Sequence, residues 1–389
     1  MSADTVGGVL TFTTELVRGL GDDVEVVVAT MGAPLQDDQR ARLLAAGVVG
    51  VHDGGHALEW MSEPWSGVRE AGRWLLELEA RERPDVVHLN GYAHGALPWS
   101  APCVLVGHSC VLSWWRAVHG TPAPVEWDRY RIAVGTGLRA ADAVIAPTAA
   151  MLAELRDLYG TWPGDASVIH NGWTNPGQGG CVHNKEPFVL SAGRMWDEAK
   201  NLISLDRAAA GLDWPVLVAG ALHSPDGYHA AVSSARAVGP LGSAELALLR
   251  RRAAVFAAPA RYEPFGLAIL EAACDSCALV LGDIPSLREL WDGAARFVDP
   301  LDHRALHLAL SELTRDTRQR EQLGTAAARR AAQFGTDSMS AGYRELYGRL
   351  AYSPSPSPSP SPSWSGACAS SSPSSGACAP SSSWRGAWS

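Results

Sequence analysis

The chain has 389 residues, of which 47% are apolar and 19% are charged, and its formal net charge is −9. This length corresponds to two domains, and the composition is that of a chain with large buried cores rather than a disordered one. Net negative charge without runs of Lys or Arg argues against a nucleic-acid partner, and no apolar run reaches the ~18 residues of a membrane span.

The cysteines and the N-terminus indicate the compartment. Seven cysteines are scattered without framework spacing, and their odd number favours reduced thiols. The chain does not open with a basic stretch followed by an apolar core, so no secretory signal is predicted. The sequence therefore predicts a cytoplasmic protein.

The first half alternates strand-like and helix-like segments. Short apolar runs bounded by turn residues predict strands at 24–30, 85–89, 103–107 and 143–147. Longer periodic stretches predict helices at 9–20, 66–82, 126–140 and 148–159. This pattern is typical of a parallel sheet covered by helices.

The beginning of the chain departs from that pattern. Residues 1–8 (MSADTVGG) run as a loop into the first predicted helix. A doubly wound domain normally has a strand before its first Gly-rich loop. We therefore expect the first strand to be missing from the N-terminal domain.

The second half repeats the alternation after a Gly/Pro/Asn cluster at 175–186. Predicted strands lie at 188–192, 216–219, 236–238, 254–258 and 278–281, and predicted helices at 202–212, 244–252, 265–275, 302–315 and 343–350. The expected organisation is an N-terminal domain (1–174), a linker (175–186), a C-terminal domain (187–336), a helix that packs back across the domains (337–352) and a tail (353–389). Two α/β domains leave a cleft between them, where ligands bind.

The tail is rich in Ser and Pro and begins with alternating Ser-Pro. Such a sequence lacks half of its backbone donors and has no apolar face to bury. We predict that it is disordered and is not part of either domain.

The densest chemical signal is RYEPFGLAILE at 261–271. Pro264 favours a helix start, which leaves Glu263 on the preceding loop and places Glu271 about two turns into the helix. The free N–H groups of Gly266 and Leu267 at the helix start predict a phosphate site. The alternative interpretation is a structural helix start with acidic residues placed to suit the helix dipole.

Two cations lie near the end of the first strand of the second half. Arg194 follows that strand, and Lys200 opens the next helix. We expect both charges to face the cleft, where Arg as a bidentate fork and Lys as a point charge suit a diphosphate. The alternative is two unrelated surface cations.

Four segments together resemble the donor-binding half of the family-4 retaining glycosyltransferases: GRMWDEAKNL (193–202), GPLG (239–242), RYEPFGLAILEAA (261–273) and SLREL (286–290). The resemblance extends over most of residues 5–350. It implies the GT-B fold, in which two Rossmann-like α/β domains face each other across a cleft. It also implies a hexosyltransferase-like enzyme of glycan or glycoconjugate biosynthesis, which moves a sugar from a nucleoside diphosphate sugar to an acceptor hydroxyl with retained configuration.

The resemblance also implies roles for individual residues. Arg194 and Lys200 match the pair that neutralises the diphosphate, Glu271 the acid that binds the ribose hydroxyls, and Glu263 the contact to the donor sugar. His108 matches a histidine of the cleft. The backbone that holds sugar and phosphate corresponds to Phe265, Gly266 and Leu267. The Gly-rich loop of the acceptor domain corresponds to Gly7 and Gly8. The expected catalytic residues are Glu263, His108, Arg194 and Lys200.

The expected partners follow from the same family. They are a nucleotide sugar and a sugar, lipid-linked or small-molecule acceptor, with peripheral contact to the cytoplasmic face of a membrane. The chain contains no Asp-x-Asp sequence, so we expect no metal ion and no cofactor besides the donor substrate.

Several further residues are open to two interpretations. His88 ends a strand next to that of His108, and is either a site residue or a packed histidine. Asn90, Tyr92 and His94 add polar groups to the same edge. An aromatic cluster with a neighbouring arginine has three interpretations: it lines the acceptor pocket, docks on lipid or packs in the core. Its members are Trp114, Trp115, Arg116 and Trp127.

The turn after the predicted helix 265–275 differs from the family. Ser276 stands where the family usually has Gly. Cys274 and Cys277 form a Cys-x-x-Cys that follows a helix rather than opening one, unlike a redox site. We expect a buried or half-buried thiol pair.

The sequence offers three alternatives to the transferase function. The sequence GHSCV around Ser109 is close to the nucleophile elbow of an α/β-hydrolase, but Val111 would crowd its turn. A dinucleotide fingerprint at 135–140 precedes a strand instead of following one, which argues against a dehydrogenase. The remaining alternative is a catalytically impaired GT-B protein without its first strand.

Overall fold

The fold is given by a computed structural model that describes residues 1–5, 7–174, 185–224 and 227–352. The predicted tail at 353–389 lies outside the described residues. So does the predicted linker, apart from Lys185 and Glu186.

The described part of the chain contains thirteen strands and thirteen α-helices. The strands are β1 (Ser2–Asp4), β2 (Val27–Met31), β3 (Gly50–Asp53), β4 (Val87–Leu89), β5 (Cys103–Val106), β6 (Ala143–Ala146), β7 (Asp165–Val168), β8 (Glu186–Ala192), β9 (Val216–Ala219), β10 (Arg236–Gly239), β11 (Ala253–Ala258), β12 (Ala278–Gly282) and β13 (Arg296–Val298). The helices are α1 (Gly8–Leu20), α2 (Asp37–Ala45), α3 (Trp65–Glu82), α4 (Val111–His119), α5 (Asp128–Ala140), α6 (Ala149–Tyr159), α7 (Leu202–Ala209), α8 (Ser243–Arg252), α9 (Leu267–Cys274), α10 (Pro285–Trp291), α11 (His303–Arg315), α12 (Thr317–Ala331) and α13 (Thr336–Tyr352).

All paired strands of these sheets run parallel. The second half has one sheet in the order β10-β9-β8-β11-β12-β13, and the first half has two, β1-β2-β3 and β4-β5-β6-β7. The central strands are apolar along their whole length because helices cover both faces of a parallel sheet. All four residues of β5 and of β6 are buried.

The first strand is present, so the prediction that it is missing was wrong. β1 pairs in parallel with β2, Ser2 opposite Ala29. Next to it, the side-chain amide of Asn90, which follows β4, donates to the Ser2 carbonyl at 2.6 Å. Three residues with one apolar side chain give no strand signal in the sequence. The interpretation as an impaired transferase without this strand therefore loses its structural basis.

Helix α9 begins later than predicted. Gly266 has a φ of 86° and caps the helix, which starts at Leu267 rather than at 265. This φ is a left-handed conformation that favours glycine, and a Cβ there would also lie 2.8 Å from Ile269 Cδ1. Glu271 is consequently the fifth residue of the helix, about one turn from its start, instead of about two turns from it.

Besides β1, seven elements have no counterpart among the predicted segments: α2, β3, α4, β7, α10, α12 and β13. Most lack a strong apolar period. Helix α2 is charged and is held at its start by a capping box between Gln36 and Gln39. Helix α12 has only Gly324, Ala327 and Ala331 as buried residues.

The last helix, α13, returns to the first half of the molecule and packs against α1. Glu15 of α1 is buried, and its Oε2 accepts the Thr336 hydroxyl at 3.1 Å and the Thr174 amide at 2.9 Å. Tyr343 is fully buried, with its ring 5.9 Å from that of Phe12. No helix within the described ranges is long and apolar enough to cross a bilayer.

The Cys-x-x-Cys turn holds two free thiols, as predicted. Cys277 is buried and Cys274 is half-buried. Burial raises the pKa of each thiol to about 11. Both are therefore protonated at neutral pH and unlike the low-pKa cysteines of redox sites.

The residue between these thiols adopts a conformation that favours glycine. Ser276 has a φ of 60°, which is unfavourable for a residue with a Cβ. We expect Ser276→Gly to raise the free energy of unfolding by about 1 kcal/mol, measured by denaturant titration. The control Ser276→Ala removes the hydroxyl but keeps the Cβ and should give no gain. An equal gain with alanine would contradict the backbone explanation.

Candidate functional site

A cleft of about 480 Å³ lies between the two halves. It is lined by the loops that follow β1, β4 and β5 in the first half, and β8 and β11 in the second. This is the edge where ligands bind in open α/β sheets. All ten predicted site residues line it: Gly7, Gly8, His108, Arg194, Lys200, Glu263, Phe265, Gly266, Leu267 and Glu271.

The two predicted cations lie on the same side of the cleft. Lys200 Nζ is 2.5 Å from Glu263 Oε2, so the predicted sugar contact and one cation form an ion pair. The turn after Lys200 is fixed by Asn201, whose buried side-chain amide donates to the carbonyls of Pro259 and Pro300 at 2.8 and 2.7 Å. Asn201 has a φ of 60°, a conformation that Asn tolerates better than most residues.

A buried carboxylate, Asp197, connects these cations to the first half. Its Oδ2 is 3.6 Å from an Arg194 guanidinium nitrogen. Its Oδ1 accepts the Ala199 amide at 2.9 Å, which fixes the turn carrying Lys200. The same oxygen accepts the indole N–H of Trp114, from α4 of the other half, at 2.9 Å. One side chain thus positions both cations and links the two halves.

The amino end of α1 faces this side of the cleft. Gly7 has a φ of 83°, and a Cβ there would lie 3.3 Å from Arg194 Nη1. A Cβ on Gly8 would lie 3.6 Å from Leu267 Cδ1. The positive ends of α1 and α9 therefore converge near the Arg194 guanidinium, an arrangement that favours anions.

The start of α9 supplies backbone donors. Its first intrahelical bond joins the Ile269 amide to the Gly266 carbonyl, so the amides of Leu267 and Ala268 precede it. The Phe265 ring is buried and packs 5.9 Å from the Phe334 ring. What Phe265 offers a ligand is therefore its backbone.

Glu271 has a partner that the sequence analysis missed. Its Oε2 pairs with the guanidinium of Arg250, which also bonds Asp275 at 2.6 Å. Burial raises the pKa of Glu271, while the charge of Arg250 opposes that shift. Arg250 stands in an RRR run that resembles the basic end of a helix, but it lies four residues after Leu246, on the side of α8 that packs on the core.

Two histidines share one side-chain amide. Asn90 Oδ1 is 2.7 Å from His108 Nε2 and 3.1 Å from His88 Nε2. Because the Asn90 nitrogen donates to Ser2, its oxygen accepts from both rings, which fixes their protons on Nε2. Burial lowers the pKa of both histidines to about 3, so both are neutral at pH 7.

The other candidates divide between cleft and core. Asn90, Tyr92, His94 and Trp114 line the cleft. His88 does not; its Nδ1 is 2.6 Å from Tyr347 Oη on α13, which supports the packed interpretation. Trp115, Arg116 and Trp127 are not among the residues that line the cleft, and Arg116 pairs with Asp157.

Ser109 does not have the surroundings of a hydrolase nucleophile. In a nucleophile elbow the amide after the serine helps to form the oxyanion hole. Here that amide, of Cys110, donates to Tyr262 Oη at 3.0 Å. Tyr262 comes from the second half and is buried in the core of the first.

Further contacts between the halves were also missed. The Thr148 hydroxyl donates to the Pro264 carbonyl at 3.0 Å. The Glu289 carboxylate accepts the amides of Ala149 and Ala150, which open α6, at 2.8 and 2.9 Å. The SLREL segment therefore holds a helix N-terminus of the other half, as expected for an acid at a positive helix end.

The two walls of the cleft carry different charges. Of the described residues that line the cleft, the second half contributes Arg194 and Lys200 together with the carboxylates of Asp197, Glu263 and Glu271, whereas the first half contributes the carboxylates of Asp4 and Glu59 and no Lys or Arg. Among the described residues, no group of three or more His, Cys, Asp or Glu side chains is arranged to hold a metal ion.

Two family models match the chain. Residues 6–173 match Glycosyltransferase Family 4, and residues 182–330 match Glycosyl transferases group 1. The chain is 26% identical to the glycogen synthase of Mycobacterium tuberculosis, over 76% of each chain. It is 29% identical to the D-inositol 3-phosphate glycosyltransferase of Kineococcus radiotolerans, over 71% of this chain and 74% of that one.

Solved structures share the fold. The sucrose-phosphate synthase of Thermosynechococcus elongatus superposes with a TM-score of 0.72 at 18% identity, over 89% of this chain and 94% of that one. Anabaena Alr3699/HepE in complex with UDP-glucose superposes with a TM-score of 0.68 at 17% identity, over 89% and 97%. With both family models matched in order and this fold, the chain belongs to the GT-B glycosyltransferases that join a family 4 domain to a group 1 domain.

Proposed function

We propose that this glycosyltransferase moves a sugar from a nucleoside diphosphate sugar to an acceptor hydroxyl, with retained configuration and without a metal ion. The second half would bind the donor and the first half the acceptor. The observation that carries the proposal is the grouping of Arg194, Lys200 and the amino end of α9 on one side of the cleft, opposite Gly7 and Gly8.

This grouping suits the charge that develops as the donor breaks. When the bond between the sugar and the diphosphate breaks, negative charge builds on the departing phosphate. Arg194, Lys200 and the α9 amides are fixed donors at that place, and such preorganised donors stabilise the transition state electrostatically. The Glu263 carboxylate holds Lys200 in position and lies where it can accept a hydroxyl of the donor sugar.

The proton needs no protein base in this mechanism. The acceptor oxygen attacks the face that the phosphate leaves, its new bond to the sugar carbon forms as the old one breaks, and its proton passes to the departing phosphate oxygen. His108, whose pKa is lowered to about 3, stays neutral at pH 7 and contributes hydrogen bonds rather than proton transfer.

The nucleoside end would lie near Glu271. One oxygen of this carboxylate is paired with Arg250, and the other is proposed to accept a ribose hydroxyl. UDP-glucose is the first donor to test, because Anabaena Alr3699/HepE, which shares the fold, is known in complex with UDP-glucose.

The Lys200 charge is open to a direct test. Lys200 is one of only two lysines in the chain. We expect Lys200→Ala to lower kcat for donor turnover by about 100-fold, because one fixed positive donor to the leaving phosphate is lost. The matched control is Arg207→Ala, which removes an exposed cation of α7 away from the cleft. Full turnover by Lys200→Ala would contradict the proposed role.

Metal independence gives a second test. If Arg194 and Lys200 supply the positive charge that the diphosphate needs, activity in excess EDTA should equal activity in Mg²⁺ or Mn²⁺ within about twofold. The measurement is release of nucleoside diphosphate by protein first dialysed against EDTA. Strict dependence on an added divalent ion would show that the cation pair is insufficient.

A further inference from the structure

The first-half wall of the cleft holds a fixed carboxylate. Glu59 lies in the loop between β3 and α3, is 3% exposed and lines the cleft. Its Oε1 accepts the amide of Tyr92, after β4, at 2.7 Å. Because the backbone holds this oxygen in place, the carboxylate is preorganised to accept hydrogen bonds from a ligand.

The next residue of the same loop, Trp60, is aromatic. Trp60 is half-buried, lines the cleft and packs against two core clusters, which fixes the indole. An aromatic face next to a carboxylate suits a sugar ring, since the C–H face of the ring stacks on the indole while its hydroxyls donate to the carboxylate.

The charges of this wall do not suit a phosphate. Among the described residues that line the cleft, the first half contributes no Lys or Arg, and its charged side chains include Asp4 and Glu59. The amino end of α4 is also engaged, because the amides of Cys110 and Val111 donate to the hydroxyls of Tyr262 and Tyr130 at 3.0 and 3.2 Å. Away from the amino end of α1, which lies against Arg194, a phosphate on this wall would meet carboxylates instead of the donors that it requires.

We propose that Glu59 and Trp60 form an acceptor subsite for an uncharged sugar ring, and that Glu59 selects against phosphorylated acceptors. The inference rests on the proposed transferase function and adds the class of acceptor to it. The names of two similar proteins, D-inositol 3-phosphate glycosyltransferase and sucrose-phosphate synthase, each include a phosphorylated compound, whereas the acceptor proposed here is uncharged.

Matched acceptor pairs test the proposal on the full chain. The probes are glucose against glucose 6-phosphate and inositol against inositol 3-phosphate, each titrated calorimetrically into UDP-saturated protein and assayed for transfer from UDP-glucose. We expect the unphosphorylated member of at least one pair to bind and react at least tenfold better. Preference for the phosphorylated member in both pairs, or failure of all four probes to bind, would overturn the proposal.

Variants separate the subsite from the rest of the enzyme. Glu59→Gln keeps an oxygen for the Tyr92 amide but removes the charge, and should narrow the preference for the unphosphorylated member severalfold. The control is Glu77→Gln, which changes an exposed acid of α3 and should leave the preference for the unphosphorylated member unchanged. Trp60→Ala should weaken acceptor binding at least tenfold. An unchanged preference in Glu59→Gln together with unchanged binding in Trp60→Ala would refute the subsite.

Different results contradict the proposed function and the acceptor subsite. Wild-type protein that neither binds UDP nor cleaves UDP-glucose or another nucleotide sugar contradicts the proposed function. Protein that cleaves the donor but prefers phosphorylated acceptors contradicts only the acceptor subsite.

Discussion

The cleft depends on one buried carboxylate. Asp197 is 4% exposed, and a charge removed from water is tolerated only with compensating partners. Those partners are the guanidinium of Arg194, the amide of Ala199 and the indole of Trp114. Arg194 is itself one of the proposed diphosphate cations, the Ala199 amide lies in the turn that carries Lys200, and Trp114 belongs to the other half. The approach of the two halves and the placement of the positive charge are therefore coupled.

Much of the fold could be predicted because parallel strands buried on both faces are continuous apolar runs. The predicted strand at 216–219 matches β9 residue for residue. Apolar runs do not predict an element whose buried residues are polar or small. β1 consists of Ser2, Ala3 and Asp4, two of them polar, and is held by pairing with β2 and by Asn90. Helix α12 buries only small residues, so it has no apolar stripe to detect.

The residues of the candidate site were also predicted only in part. Residues whose chemistry is local to one loop, such as Arg194, Lys200 and Glu263, were predicted and are brought together in the cleft. Residues whose role arises from contact between distant segments were missed. Tyr262 contacts Cys110, 152 positions away, and Arg250 reaches Glu271 from another helix. Such pairs cannot be predicted from spacing in the sequence, because tertiary packing alone brings their members together.

The coupling through Asp197 is tested most directly by Trp114→Phe, which keeps an aromatic ring in the core and removes the N–H that reaches the carboxylate. The measurement is the Kd of the nucleoside diphosphate that binds the wild type most tightly, with Trp74→Phe, on α3 and away from the cleft, as control. The account predicts that Kd rises about tenfold in Trp114→Phe, since a hydrogen bond to a charged group is lost, and stays unchanged in the control. An unchanged Kd in Trp114→Phe would show that the cations are placed independently of the other half.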